Sequence, residues 1–71
     1  METLHKNTLY NRLKELRTLY NLTQKEVADK INVERSTYSC YELGKTVPHI
    51  NTLLDLSKIY NVPLDYLIGK I

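Results

Sequence analysis

The sequence predicts an all-α domain, a compact assembly of five short helices. Three observations lead there. Apolar residues recur at i, i+3 and i+4 along the whole chain, and the strict alternation of a half-buried strand is absent. Asn stands directly before an apolar residue at three joints, Asn21-Leu22, Asn32-Val33 and Asn61-Val62. Asn is the best residue after Gly for the left-handed position that ends a helix, and the apolar residue behind it folds back onto the helix. The third observation is "TQKE", Thr23 to Glu26. It is a capping box, in which the Thr hydroxyl accepts from the Glu amide and the Glu carboxylate reaches back to the Thr amide.

The first helix is expected from Thr8 to Tyr20, with Thr8 as N-cap and Leu9, Leu13, Leu16 and Tyr20 as one apolar stripe. The second opens at Thr23 and turns Val27, Ala28 and Ile31 inward. The third lies within "INVERSTYSCYELGK" and stops at Gly44, which takes the left-handed role that Asn plays elsewhere. The fourth starts after Pro48 and carries Ile50, Leu53, Leu54, Leu56 and Ile59. Pro63 fits the first turn of a short fifth helix, "PLDYLIG", where its missing N–H is not needed.

Seventy-one residues make one domain, 1–71, with no linker, repeat or second domain in view. The single cysteine rules out an internal disulfide and fits a reducing compartment. The opening "METLHKN" lacks the apolar run of a signal peptide, and no stretch approaches the ~20 apolar residues of a membrane span. The expected location is the cytoplasm, away from any membrane. Ten Lys and Arg against eight Asp and Glu leave a formal charge of +2, which permits nucleic-acid binding without arguing for it. Gly44 and Gly69 are the only glycines, so there is no Gly-rich phosphate loop. No acid–base pair or nucleophile–base set stands out, so the chain is not expected to be an enzyme. His5, His49 and Cys40 lack metal-ligand spacing, and neither metal, cofactor nor small-molecule ligand is expected. Cys40, without a nearby His, reads as a small packing residue rather than a redox or nucleophilic group.

The second and third helices, joined by about three residues around Asn32, follow the helix-turn-helix plan over about 23–43. At ~100° per residue, Thr37, Tyr38 and Tyr41 of the third helix share one arc. Arg35, Ser36, Ser39, Cys40 and Leu43 take the other. That second arc is short-chained where a plain surface helix would carry long charged residues. Short side chains let a helix approach base edges in a major groove, which is about 12 Å wide. Arg35 can reach guanine O6 and N7, serine suits either kind of base edge, and Cys40 can touch a thymine methyl.

On these residues the chain resembles the lambda-repressor-like helix-turn-helix family, the Cro/XRE type. The features that carry the resemblance are Leu22-Thr23-Gln24, Glu26, Ala28, Ser36-Thr37, Tyr41-Glu42, Gly44-Lys45, Pro48, Leu53-Leu54 and Val62 through Leu67. They span about residues 9–69. The resemblance implies a five-helix fold that binds DNA as a homodimer and regulates transcription. It assigns backbone contacts to Gln24, and to Lys45, Thr46 and the region of His49 after the third helix. It assigns base reading to Arg35, Ser36, Ser39 and Cys40, and an architectural ion pair to Arg17 and Glu42. Lys25 and Lys6 are added here as helpers on the DNA backbone, while Arg12, Lys14, Lys30 and Lys58 read as solvated faces. Asn21, Asn32 and Asn61 stand where the family often has Gly, and Tyr38 where an aliphatic residue is usual. Glu34 stands where Ser or Thr usually caps, and Cys40 where a longer polar residue is common. The last two bear on base preference rather than on the fold.

The expected function is a repressor from a bacterium, phage or plasmid. Two recognition helices about 34 Å apart would enter successive major grooves of a palindromic operator. Tyr66, Ile68 and Ile71 are the apolar residues offered for a second copy, and a monomer–dimer equilibrium is the expected means of control. The alternative is a protein-interaction module of the same fold, an antitoxin or adaptor.

Overall fold

The computed structural model describes residues 6–71, with side chains from Thr8 onward. The described residues form α1 (Lys6–Leu19), α2 (Gln24–Lys30), α3 (Arg35–Leu43), α4 (Ile50–Ile59) and α5 (Leu64–Leu67). His5 and the Lys6 side chain lie outside the described residues, so the expectations placed on them have no structural counterpart.

Each helix ends in the same way. Leu22 N–H bonds to the Arg17 carbonyl, Val33 to Ala28, Lys45 to Cys40, Val62 to Ser57 and Lys70 to Asp65, at 2.8–3.0 Å. The residue before each donor is left-handed: Asn21 (φ 59°), Asn32 (φ 64°), Gly44 (φ 77°), Asn61 (φ 54°) and Gly69 (φ 90°). This paired cap satisfies the last carbonyls of a helix and reverses the chain within two residues. Leu22, Val33 and Val62 fold back against the core as the joints predict.

Helix starts differ more from expectation. The capping box at Thr23 is present with both bonds, 3.1 Å from the Glu26 amide and 2.8 Å to the Glu26 carboxylate. Thr8, however, lies inside α1 rather than capping it. Lys is a good helix former and Thr only a mediocre one, so the helix extends upstream through Lys6 at little cost. Pro63 is the N-cap of α5, not a residue of its first turn, with an extended backbone at ψ 148°. Tyr20 leaves the stripe as well. It is past the end of α1 and 44% exposed, although its hydroxyl donates to the Tyr60 carbonyl at 2.7 Å.

The core gathers Leu9, Leu13 and Leu16 from α1, Val27 and Ala28 from α2, Tyr38 and Tyr41 from α3, Leu53 and Leu56 from α4, and Leu67 from α5, with Ile31 and Tyr60 at the joints. One correction concerns the periphery. Arg12 is not a solvated cation: its guanidinium stacks 3.9 Å from the Tyr66 ring centroid and donates to the carbonyls of Tyr66 and Ile71. Tyr66 and Ile68 are half-buried against the core, so of the three C-terminal apolar residues Ile71 is the exposed one. No helix among the described residues is long and apolar enough to cross a membrane.

Candidate nucleic-acid interface

Helix α3 lies across α1 and α2 and buries Tyr38, Tyr41 and Glu42. Tyr38 is fully buried, and its ring meets Tyr41 edge-on at 6.1 Å. These residues fix which side of α3 remains open. Arg35 and Ser36 are exposed, Ser39 and Cys40 are half-buried, and Leu43 is 60% exposed. At ~100° per residue, Ser36, Ser39 and Leu43 lie along the middle of the open arc, with Arg35 and Cys40 at its two edges. The arc is therefore low in the middle and has its one long cationic side chain at the edge nearest Glu42.

That edge is organised by a buried carboxylate. The Glu42 side chain is 3% exposed. Arg17 donates to it twice, Nε to Oε2 at 2.6 Å and Nη2 to Oε1 at 3.1 Å. A further Arg17 nitrogen, Nη1, donates to the Leu22 carbonyl at 3.0 Å, which ties the end of α1 to the pair. Gln24 Nε2 donates to Glu42 Oε1 at 3.1 Å. Burial pushes the Glu42 carboxyl up, but the hydrogen bonds from Arg17, Tyr38 and Gln24 outweigh it and hold the carboxyl below its ordinary 4.5. The hydrogen bond to Glu42 likewise raises Arg17 above its ordinary value, against the opposing effect of burial. The brace implied by the resemblance is thus present and charged on both sides, and bidentate geometry of this kind is the strong form of the contact.

Gln24 has a second role that the sequence did not reveal. Its Oε1 accepts from Arg35 Nη1 at 3.1 Å. One side-chain amide therefore links the start of α2, the end of α3 through Glu42, and the exposed cation at the start of α3. An amide nitrogen carries two N–H groups, so Gln24 retains one donor beyond its bond to Glu42. The remaining residues expected on the DNA backbone are spread around this centre. Lys25 is exposed and pairs with Asp29 at 3.2 Å, one helical turn along α2. Lys45, Thr46 and His49 are exposed beyond the other end of α3. His49 is the N-cap of α4 but makes no side-chain cap bond, and Glu34 occupies the same position on α3, also without one. Lys25, Asp29, Asn32, Glu34 and Arg35 line a polar recess where α2 meets the start of α3.

Leu43 stands on the open arc in line with Ser36 and Ser39, as helical spacing predicts, although no part in base reading was expected of it. Tyr60 was not expected at the centre: it is fully buried, with its hydroxyl 3.1 Å from that of Tyr38. A compositional signal for it was present: the chain has six Tyr and no Phe, so every aromatic position carries a hydroxyl. Among the described residues, no group of three or more His, Cys, Asp and Glu is placed to hold a metal ion.

Comparison with known proteins agrees with this geometry. A family profile described as helix-turn-helix matches residues 13–67. The HTH-type transcriptional regulator ImmR of Bacillus subtilis is 48% identical over 63 residues, covering 89% of this chain and 50% of ImmR. The cryptic phage CTXphi transcriptional repressor RstR of Vibrio cholerae is 38% identical over 59 residues, covering 83% of this chain and 53% of RstR. The chain thus spans about half the length of the curated relatives it matches. Among solved structures, the restriction-modification controller protein C.AhdI from Aeromonas hydrophila superposes with a TM-score of 0.79 at 26% identity. That match covers 87% of this chain and 94% of C.AhdI. A transcriptional regulator from Listeria innocua superposes with a TM-score of 0.84 at 27% identity, over 89% of this chain and 59% of its own.

Proposed function

This chain belongs to the helix-turn-helix family of Cro/XRE type, and on that premise we propose that it is a sequence-specific DNA-binding regulator of transcription, a repressor that grips a palindromic operator as a homodimer. The observation that carries the reading is the open arc of α3. It is a helix face kept low by Ser36 and Ser39, with Arg35 held at its edge by Gln24.

In this reading α3 enters the major groove. Arg35 donates two hydrogen bonds to a guanine, Ser36 and Ser39 meet neighbouring base edges, and Cys40 and Leu43 offer apolar surface to thymine methyls. The phosphates on either side are held from both ends of α3. Gln24, through its remaining N–H, and Lys25 act on one side, and Lys45, Thr46 and the N-terminus of α4 at His49 on the other. Lys25 exchanges its exposed partner Asp29 for a phosphate at small cost, because surface ion pairs are weak. Glu34 places a negative charge beside Arg35 and disfavours the base edges and phosphate positions that would crowd it.

Ile71 at the C-terminus and the apolar face of α4 are the exposed surfaces that a second copy could cover. Ile50 (57% exposed) and Leu54 (40% exposed) are one turn apart on α4, with Val47 just before them, whereas Tyr66 and Ile68 are already engaged within the domain. Action in the cytoplasm, where the DNA of a bacterium lies, is part of the same proposal. The test is selection of bound sequences from random duplex DNA by the purified chain. The reading expects an enriched inverted repeat whose half-site centres lie about 10–10.5 base pairs apart. Failure to retain any duplex at low salt would contradict it and favour the protein-interaction alternative.

A further inference from the structure

Arg17, Glu42, Gln24 and Arg35 form one series of hydrogen bonds that runs from the interior to the exposed start of α3. Arg17 Nε and Nη2 donate to the two carboxylate oxygens of Glu42 at 2.6 and 3.1 Å. Gln24 Nε2 donates to Glu42 Oε1 at 3.1 Å, and Gln24 Oε1 accepts from Arg35 Nη1 at 3.1 Å. Every bond in the series has a fixed direction, because an ionised carboxylate only accepts and a guanidinium only donates. A side-chain amide fits between the two, since it offers a donor at one end and an acceptor at the other. Exchanging its oxygen and nitrogen would set an oxygen against the carboxylate and an NH2 group against the guanidinium. Two attractive contacts would become two repulsive ones. The amide therefore has one favoured orientation, and the carboxylate behind it dictates which.

We propose that the Arg17–Glu42 ion pair, beyond bracing the fold, positions the base-reading side chain Arg35 by setting the polarity of the Gln24 amide. The inference rests on the assignment of Arg35 to a base contact. Arg35 is exposed, and a long exposed side chain carries large rotamer entropy unless something holds it. Gln24 can hold it only if its own oxygen is kept facing outward. Glu42 is suited to that task because it is itself fixed: its side chain is 3% exposed and takes two bonds from Arg17. Arg17 is anchored in turn by its bond to the Leu22 carbonyl at 3.0 Å, just before α2 begins. Networks of this kind polarise one another and rigidify what they hold. The bond to Gln24 engages Nη1 of Arg35 and leaves the edge formed by Nε and Nη2 for a bidentate contact with guanine. Arg35 is thus held without losing the edge it needs. Arg17 and Glu42 are positioning residues for specificity and touch no DNA themselves.

The test uses the full chain and Glu42→Gln, which keeps the shape of the side chain and removes its charge. A neutral amide in this place faces Gln24 with oxygen or nitrogen alike, so the polarity of Gln24 is no longer dictated. Two quantities are read. In the DNA-free protein, NMR relaxation of the Arg35 Nε–H should report a held side chain in the unaltered chain and a freer one in Glu42→Gln. On duplexes varied at each base pair of the selected site, Glu42→Gln should reduce the preference about three- to tenfold, the effect of one hydrogen bond, at the base pair where Arg35→Ala abolishes discrimination. Preferences at the other base pairs and the salt slope should stay unchanged, which a merely structural defect would not single out. A folded Glu42→Gln protein with unaltered Arg35 relaxation, with full preference at that base pair, or with preference lost equally at all of them overturns the proposal. If Glu42→Gln fails to fold, Gln24→Asn carries the test. Its amide, one methylene shorter, cannot span Glu42 and Arg35, so the same two losses are expected and their absence overturns the proposal. If Arg35→Ala leaves discrimination intact at every base pair, the assignment of Arg35 to a base fails. Arg35 relaxation in the free protein then still decides whether the ion pair positions it.

Discussion

Glu42 keeps a negative charge where water scarcely reaches, with its side chain 3% exposed. Such a charge is tolerable only because Arg17 and Gln24 both donate to it. Removing one partner would leave the other charge uncompensated, so Arg17→Ala or Glu42→Ala should cost about 3–5 kcal/mol, read from urea unfolding midpoints. Gly44 is constrained for two separate reasons. Its backbone is left-handed at φ 77°, and a Cβ there would stand 2.5 Å from a ring carbon of Tyr10. Gly44→Ala must therefore strain the backbone and displace the ring, and a loss of about 1–3 kcal/mol is expected. A loss of only about 1 kcal/mol would show that the Tyr10 ring gives way freely and that the left-handed backbone alone is felt.

The five helices share one device at their C-termini, so their ends were much more legible in the sequence than their starts. A left-handed residue is a steric demand that few side chains can meet, and Asn21, Asn32, Asn61 and Gly44 announce it plainly. A helix start is a mild preference, and Thr8 looked like a cap although α1 runs on to Lys6. Asn32→Gly should be nearly neutral, whereas Asn32→Ala should cost about 1–2 kcal/mol at φ 64°. Equal losses in thermal unfolding would mean that the Asn side chain, not its backbone, matters. The face of α3 was readable from helical spacing because Tyr38 and Tyr41 fix its inward arc. The bond between Arg35 and Gln24 was not readable. It joins residues eleven apart through the packing of α2 on α3, which spacing along a single helix does not encode.

At the scale of the molecule, the polar interior makes stability depend on pH from both sides. The Glu42 carboxyl is held below its ordinary value, so its contribution is present above the unfolded value of about 4.5 and is lost as pH falls through the lower folded value. Burial raises Tyr38 and Tyr60 above their ordinary 10.0. Their contribution is complete below the unfolded value and is lost as pH rises past it, because the unfolded chain releases those protons first. Stability should therefore be flat between about pH 5 and pH 9 and decline outside that range. Unfolding midpoints across pH check this, and Glu42→Gln should flatten the acid limb. An acid limb as steep in Glu42→Gln as in the unaltered chain would place the titrating carboxylates elsewhere.

The same scale holds the central claim, that the open arc of α3 reads DNA while the residues around it hold phosphate. The most direct measurement is the affinity of the unaltered chain and of Arg35→Ala for a selected site and for each of its single-base variants. The account predicts that Arg35→Ala loses about 1–3 kcal/mol of discrimination at one base pair of each half-site and keeps its binding to unrelated DNA. An equal loss of affinity for every sequence would place Arg35 on phosphate and contradict the account.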